Sequence, residues 1–335
     1  MNFKSILTRS LSGIVYIGII VAAVLCGPFW VMLLAILFGA SGVIELERMA
    51  YNNKPVEEPI CTPGEVKQIN QEAPEVSDSL EDAESFAIEE THEKSSDITS
   101  EEPTGSLVSK TGRAGRTAIL CMDILGIVFL ISSVWIPTFL FIFWLTLGGC
   151  RLILQLYLHD DKPLKSIAIS ALSQLYIGVP LLILAMLSKF ESLGNGWQLL
   201  ALISMIWIND TGAFLVGCAI GKRRLFERHS PKKSWEGFFG GLIFNVIAGL
   251  IFGTYCFTSL YGSVALPPVA SWIIMGVIVT IAATYGDLFE SMIKRSCHVK
   301  DSGTIMPGHG GILDRIDSLL FVMPAAQLFI ILLMI

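Results

Sequence analysis

The chain has 335 residues, of which 53% are hydrophobic and only 16% charged, and its mean hydropathy is +0.65. An ordinary soluble domain carries about 25% charged residues, so this balance argues against a soluble globular enzyme and excludes a disordered chain, a collagen-like fibre and a small disulfide scaffold. The net charge of −6 hides two unlike parts: residues 52–109 hold fifteen of the 29 acids and three of the 23 bases, and the remainder is net basic.

Apolar runs occur at about 11–26, 28–44, 119–136, 138–156, 166–187, 197–219, 238–258, 270–289 and 318–335. Most have the roughly 17–25 residues that a bilayer-spanning helix needs. With no water in the bilayer core, each backbone must satisfy itself as helix. The expected fold is therefore an all-α integral membrane protein with about nine transmembrane helices, its N-terminus cytoplasmic and its C-terminus outside.

Residues 1–50 form the first two helices, divided only by Gly27-Pro28. Lys4 and Arg9 before an apolar run resemble a signal peptide, but no A-x-A site follows and a second run begins at once. Cys26 follows Leu25, where a lipoprotein signal would place a small residue, so an uncleaved first span is expected. Residues 51–117 read as an acidic, flexible cytoplasmic loop, rich in Glu, Ser, Thr and Pro between about 52 and 109 and unable to bury enough apolar surface to order itself. Residues 118–219 hold helices three to six, the third and fourth divided by Pro137. Residues 220–335 hold the chemistry: cytoplasmic loops 220–237 and 290–317, and helices seven to nine. Seven cysteines are scattered singly and read as small hydrophobes. With this orientation 22 Lys and Arg lie inside and one, Lys189, outside, as the positive-inside rule requires. No fixed-period repeat occurs, nor a clear inverted pair of broken helices of the transporter type.

Polar residues crowd into two regions. The first contains Asn209-Asp210-Thr211-Gly212, where Asp210 interrupts an apolar run and needs a cationic partner. The basic loop after it carries Lys222-Arg223-Arg224 and then Ser230-Pro231-Lys232-Lys233-Ser234-Trp235-Glu236-Gly237. There a hydroxyl and two ammoniums precede a helix start, whose free N–H groups suit an anion.

The second region is sharper. Asp287, Ser291 and Lys294 are spaced i, i+4, i+7 and share one helical face. Arg295, Lys300-Asp301-Ser302-Gly303 and Pro307-Gly308-His309-Gly310-Gly311 follow, then Asp314-Arg315-Ile316-Asp317. Asp314 and Asp317 again share a face, Arg315 is a planar bidentate phosphate donor, and the glycines allow backbone N–H groups close to a phosphate. Carboxylates without a His/Cys cluster suit Mg²⁺, not Zn²⁺. Metal, Lys and Arg around Gly-rich backbone are the parts of phosphoryl or nucleotidyl transfer. Neither a P-loop nor a G-x-S-x-G elbow is present.

The stretch S-M-I-K-R-x4-K-D-S-G-x2-M-P-G-H-G-G-I-L-D-R-I-D, Ser291 to Asp317, resembles the signature of the phosphatidate cytidylyltransferases. The Asn209–Gly212 and Ser230–Gly237 segments and the nine-span layout resemble that family too. The acidic insert at about 52–109 departs from typical bacterial members. The resemblance implies that CTP and phosphatidate give CDP-diacylglycerol and pyrophosphate, with Mg²⁺, and with potassium as an associated second cation. It implies a multi-pass protein of the cytoplasmic (inner) membrane, its active site facing the cytoplasm among membrane lipids, and it suggests a homodimer; no nucleic-acid partner is expected. Its metal-binding aspartates fall on Asp287 and Asp314. Catalytic roles then fall to Asp287, Lys294, Arg295, Asp301, His309, Asp314 and Arg315, and substrate contacts to Asp210, Ser230, Lys232, Lys233, Ser291, Lys300, Gly310, Gly311 and Asp317. The lipid phosphate is already an anion near neutral pH, which argues against an essential proton transfer by His309. A CTP-dependent lipid-alcohol kinase would use similar parts but release CDP; a transporter of an anionic solute would carry charges deep in several spans.

Overall fold

The computed structural model describes residues 3–51, 105–158, 162–190, 196–228, 230–256, 259–261, 265–303 and 310–334. Its helices are α1 (Phe3–Cys26), α2 (Pro28–Tyr51), α3 (Gly105–Ser132), α4 (Pro137–Tyr157), α5 (Pro163–Phe190), α6 (Trp197–Ile220), α7 (Trp235–Cys256), α8 (Pro268–Ser296) and α9 (Leu313–Met334). Each of the nine apolar runs falls on one of them. Eight are long and apolar enough to cross a membrane, while α1 offers a shorter apolar stretch, Ser12–Cys26. The chain is thus a helical integral membrane protein. Residues 1–52 and 111–335 form one compact unit, and residues 53–110 are a separate one. The acidic segment expected to be a flexible loop lies, for residues 52–104, outside the described residues.

Helix boundaries follow local chemistry. Gly27 adopts a φ of +112° between α1 and α2, a left-handed conformation that glycine enters without steric cost. Pro137, Pro163 and Pro268 occupy the first helical positions of α4, α5 and α8, where a missing N–H costs nothing. α5 and α7 each contain a π-helical turn, at Ser173–Gly178 and Phe252–Cys256.

Three details differ from the sequence reading. The loop between α6 and α7 is not bare: β1 (Arg224–Phe226) and β2 (Ser230–Ser234) pair antiparallel, Arg224 opposite Ser234. Pro231 disfavours helix there, and pairing satisfies a polar backbone that no apolar face covers. Next, α8 runs on to Ser296 and α9 begins at Leu313, so both ends of the expected 290–317 loop are helical. Last, Arg151, one of the 22 bases counted on the inside, is buried within α4. The six described cysteines are free thiols, five of them exposed.

The core lies among α2, α5, α6, α8 and α9, with Trp272, Leu199, Leu202, Met205, Ile177 and Leu181 fully enclosed. Many large apolar residues face outward, among them Phe139, Ile142, Ile243 and Leu332, as lipid rather than water demands. Since lipid is as apolar as leucine, helices associate through close packing and polar contacts. α7 and α8 show both: Asn245 Nδ2 donates to Thr280 Oγ1 at 3.0 Å, and Gly276 lies against the Asn245 carbonyl.

A Cβ at Gly276 would stand 2.7 Å from Asn245 O, whereas one at Gly149 would meet nothing within 4 Å. Gly276→Ala is expected to cost about 1–3 kcal/mol, read as a lower thermal midpoint in detergent. Gly149→Ala is expected to leave the midpoint unchanged.

Candidate active site at the helix ends

α8 and α9 cross closely where they carry their carboxylates. Gly286 permits this: a Cβ there would lie 2.8 Å from Asp317 O. The crossing brings Asp287, Glu290 and Asp317 together, one carboxylate oxygen of each within 4.8 Å of the others. Two ammoniums oppose this charge. Lys233 Nζ reaches Asp287 Oδ2 at 2.6 Å from the end of β2. Lys294 Nζ bridges Glu290 Oε2 at 2.8 Å and Asp314 Oδ1 at 2.6 Å. Ser291 Oγ donates to Asp287 Oδ1 at 3.3 Å. The expected shared face of Asp287, Ser291 and Lys294 is therefore real, and the buried Glu290 lies among them.

Asp314 is not in that trio. Its Oδ2 accepts from Ser302 N (3.0 Å), Ser302 Oγ (3.0 Å) and Gly311 N (2.8 Å), so it ties the preceding loop to the start of α9. A second carboxylate, Glu45 of α2, completes the knot from 267 residues away. It is 1% exposed and accepts from Ile312 N (2.9 Å), Leu313 N (2.8 Å) and Ser302 Oγ (2.9 Å). A helix start leaves N–H groups without partners and favours negative charge; Glu45 supplies both acceptor and charge. The glycines serve this knot. Gly310 has a φ of +83°, and a Cβ at Gly303 would lie 2.6 Å from Glu45 Oε1. Gly311 N donates to Asp314 Oδ2. The sequence reading missed Glu45. Its signal was an acid directly after the apolar run of α2 and still within that helix, close to the signal that flagged Asp210 in α6.

α7 is capped by Ser234, whose Oγ accepts from Gly237 N at 3.1 Å. Glu236 accepts from Lys222 N and Arg223 N at 3.1 and 3.2 Å, pinning the hairpin to the helix. α6 and α7 approach through Gly212, Gly237, Gly240 and Gly241, which sets Asp210 within electrostatic reach of Lys233 and Asp287. Asn209 Nδ2 donates to Asp210 Oδ1 at 3.4 Å. Ser230 is half-buried and Lys232 exposed on β2. Arg295, Lys300, Asp301 and Arg315 are exposed, and Arg295 donates to Val299 O. His309 lies outside the described residues.

A cavity of about 200 Å³ opens between α1, α6 and α9. Asp210, Asp314, Arg315 and Asp317 line it alongside Ile17, Ile20, Ile203 and Leu319. One small space thus joins carboxylates, a guanidinium and aliphatic walls. Three oxygen donors without nitrogen or sulfur suit a hard cation such as Mg²⁺, and Glu290 Oε1 is buried without a hydrogen-bond partner.

A family model described as the cytidylyltransferase family matches residues 100–333. The chain belongs to that family. It is 43% identical over 131 residues to the phosphatidate cytidylyltransferase of Haemophilus influenzae, covering 39% of this chain and 44% of that protein. It is 39% identical over 153 residues to the Bacillus subtilis protein of the same name, 46% of this chain and 54% of that one. A Staphylococcus aureus phosphatidate cytidylyltransferase is 43% identical over 129 residues, 38% and 46% of the two chains. The matched part spans about half the length of these relatives. The family match begins before α3 and ends within α9, so it takes in the hairpin, α8 and the Asp314 knot but not Glu45.

Glu45→Ala removes the acceptors of Ile312 N and Leu313 N. The expected outcome is a loss of about 1–3 kcal/mol and faster hydrogen exchange at the amides of 302 and 311–313. Glu45→Gln, which keeps an acceptor oxygen, is expected to recover part of that protection.

Proposed function

We propose that this chain is a CTP:phosphatidate cytidylyltransferase. The observation that carries the reading is the Asp287–Glu290–Asp317 group with Lys233 and Lys294, which shares Asp317 with a cavity lined by both carboxylates and aliphatic side chains. The family match and the names of the relatives support it. A phosphate oxygen of phosphatidate attacks the α-phosphorus of CTP in line. The bond to the β-phosphate oxygen breaks, pyrophosphate leaves, and CDP-diacylglycerol forms. No proton need be removed from the nucleophile, so the site requires charge compensation more than a strong base.

Mg²⁺ belongs to this reading. Asp287, Glu290 and Asp317 would hold it, with Asp314 the next carboxylate beyond Lys294. Bound there, it would neutralise CTP phosphates and the leaving pyrophosphate. The ammoniums that now balance these carboxylates, Lys233 and Lys294, lie at the right place to pass to substrate phosphates. Arg315, exposed at the cavity, offers a planar fork to a phosphate. Ile17, Ile20, Ile203 and Leu319 give the lipid an apolar wall, so its headgroup can meet soluble CTP while its acyl chains stay in the bilayer.

The topology of the reading puts the site end in the cytoplasm and the end of α9 outside. Supporting bases gather at one end: Lys165 donates to Ala50 O at 2.7 Å, and both Lys165 and Arg116 lie over the Tyr51 ring. Lys189, at the other end, donates to Val134 O and lies over Trp135. A homodimer, carried over from the resemblance, completes the reading.

Purified protein in detergent, supplied with phosphatidate, CTP and Mg²⁺, is expected to release pyrophosphate and form a CDP-lipid. Release of CDP with a phosphorylated lipid alcohol would instead make the protein a kinase, and neither product would sink both. Asp287→Asn is expected to lower turnover by about 10²-fold or more while the thermal midpoint stays near wild type; near-normal rates at low Mg²⁺ would refute the metal assignment. Deleting residues 55–108 is expected to spare turnover.

A further inference from the structure

Apart from the carboxylates of α8 and α9, a second polar cluster sits inside the bundle. α4 is peripheral, with 11% of its apolar window buried, yet its Arg151 is only 5% exposed. A buried guanidinium in a span is costly and calls for an anion. Its hydrogen-bond acceptors are all neutral. Arg151 Nε donates to Ser170 Oγ (3.2 Å), and its terminal nitrogens donate to Gln155 Oε1 (2.9 Å) and Ser166 Oγ (2.9 Å). Among the described residues no carboxylate lies within 4.0 Å of it. Five N–H donors against three such bonds leave two in hand.

Two carboxylates lie within electrostatic reach of Arg151, Glu47 of α2 and Asp123; Glu47 opens onto a different cavity, and Asp123 stands one hydroxyl away. Ser170 Oγ donates to Asp123 Oδ2 at 2.6 Å, and Asp123, on α3, is 4% exposed. Arg151 and Asp123 both line a cavity of about 360 Å³ between α3, α4 and α5. Its other walls include Met122, Trp144, Leu152 and Leu175, and Gly148 leaves open space where a Cβ would stand. A lone anion here would meet Asp123, and a lone cation would meet Arg151. A molecule bearing both charges a few ångströms apart satisfies both groups, and the apolar walls call for an amphiphile.

We propose that this cavity binds the headgroup of a zwitterionic phospholipid. Its phosphodiester would accept the spare N–H groups of Arg151, its primary ammonium would donate to Asp123, and its acyl chains would lie along α4. The site does not depend on the reaction proposed above.

Delipidated protein in detergent, titrated with phosphatidylethanolamine, phosphatidylglycerol or phosphatidylcholine and read by native mass spectrometry, tests this. One phosphatidylethanolamine is expected to bind about tenfold more tightly than either other lipid, the difference one ionic hydrogen bond makes. Arg151→Gln is expected to abolish that site, and Asp123→Asn to remove the preference over phosphatidylcholine. Gly148→Leu should fill the cavity and displace the lipid while leaving every hydrogen bond of Arg151 in place, so it decides the matter if Arg151→Gln fails to fold. Equal binding of the three lipids by the wild type, or wild-type binding by Gly148→Leu, would overturn the proposal.

Discussion

The Lys294 ammonium, held between Glu290 and Asp314, is the contact on which the catalytic end turns. Four carboxylates gather where α8 and α9 meet, and most are shielded from water. Like charges so placed repel strongly in a low dielectric. One cation shared by the two helices converts that repulsion into a tie. Lys233 does the same for Asp287 from the β-hairpin. The site is thus a set of carboxylates kept together by cations.

Glu45 extends this logic to the backbone. Its carboxylate takes the N–H groups that the start of α9 leaves open, while Asp314 takes those of Ser302 and Gly311. The connection between α8 and α9 is therefore tied, in its described parts, by two side chains as well as by the turn at 297–299. Its glycines are required less for left-handed conformations than for room: a side chain at Gly303 or Gly311 would collide with the Glu45 carboxylate. Small residues recur with the same purpose at Gly212, Gly240, Gly276 and Gly286. Where lipid provides no hydrophobic drive between helices, close approach of backbones has to supply the adhesion.

The buried Arg151–Ser170–Asp123 network obeys the same rule in the other half of the bundle. Its charges are separated by a hydroxyl and open onto a cavity, so the pair is only partly closed. α5 carries Ser166 and Ser170 and then its π-helical turn, whose Tyr176 packs its ring against Phe289 and Phe321 of the catalytic helices. The two polar centres are thus joined through one helix.

Much of this was legible in the sequence. Composition and the length of the apolar runs called the helical membrane fold, because in lipid the backbone has no alternative to helix. The i, i+4, i+7 spacing placed Asp287, Ser291 and Lys294 on one face, because helical periodicity is local. What tertiary structure alone decided were the pairings. Glu45 meets Ile312 and Leu313 across 267 and 268 residues of sequence; Glu290 rather than Asp314 joins Asp287 and Asp317; Arg151 enters a buried network; and Gly311 N donates to the Asp314 carboxylate. Each depends on which helices cross and how closely, a matter of contacts between distant segments that no local pattern of residues encodes.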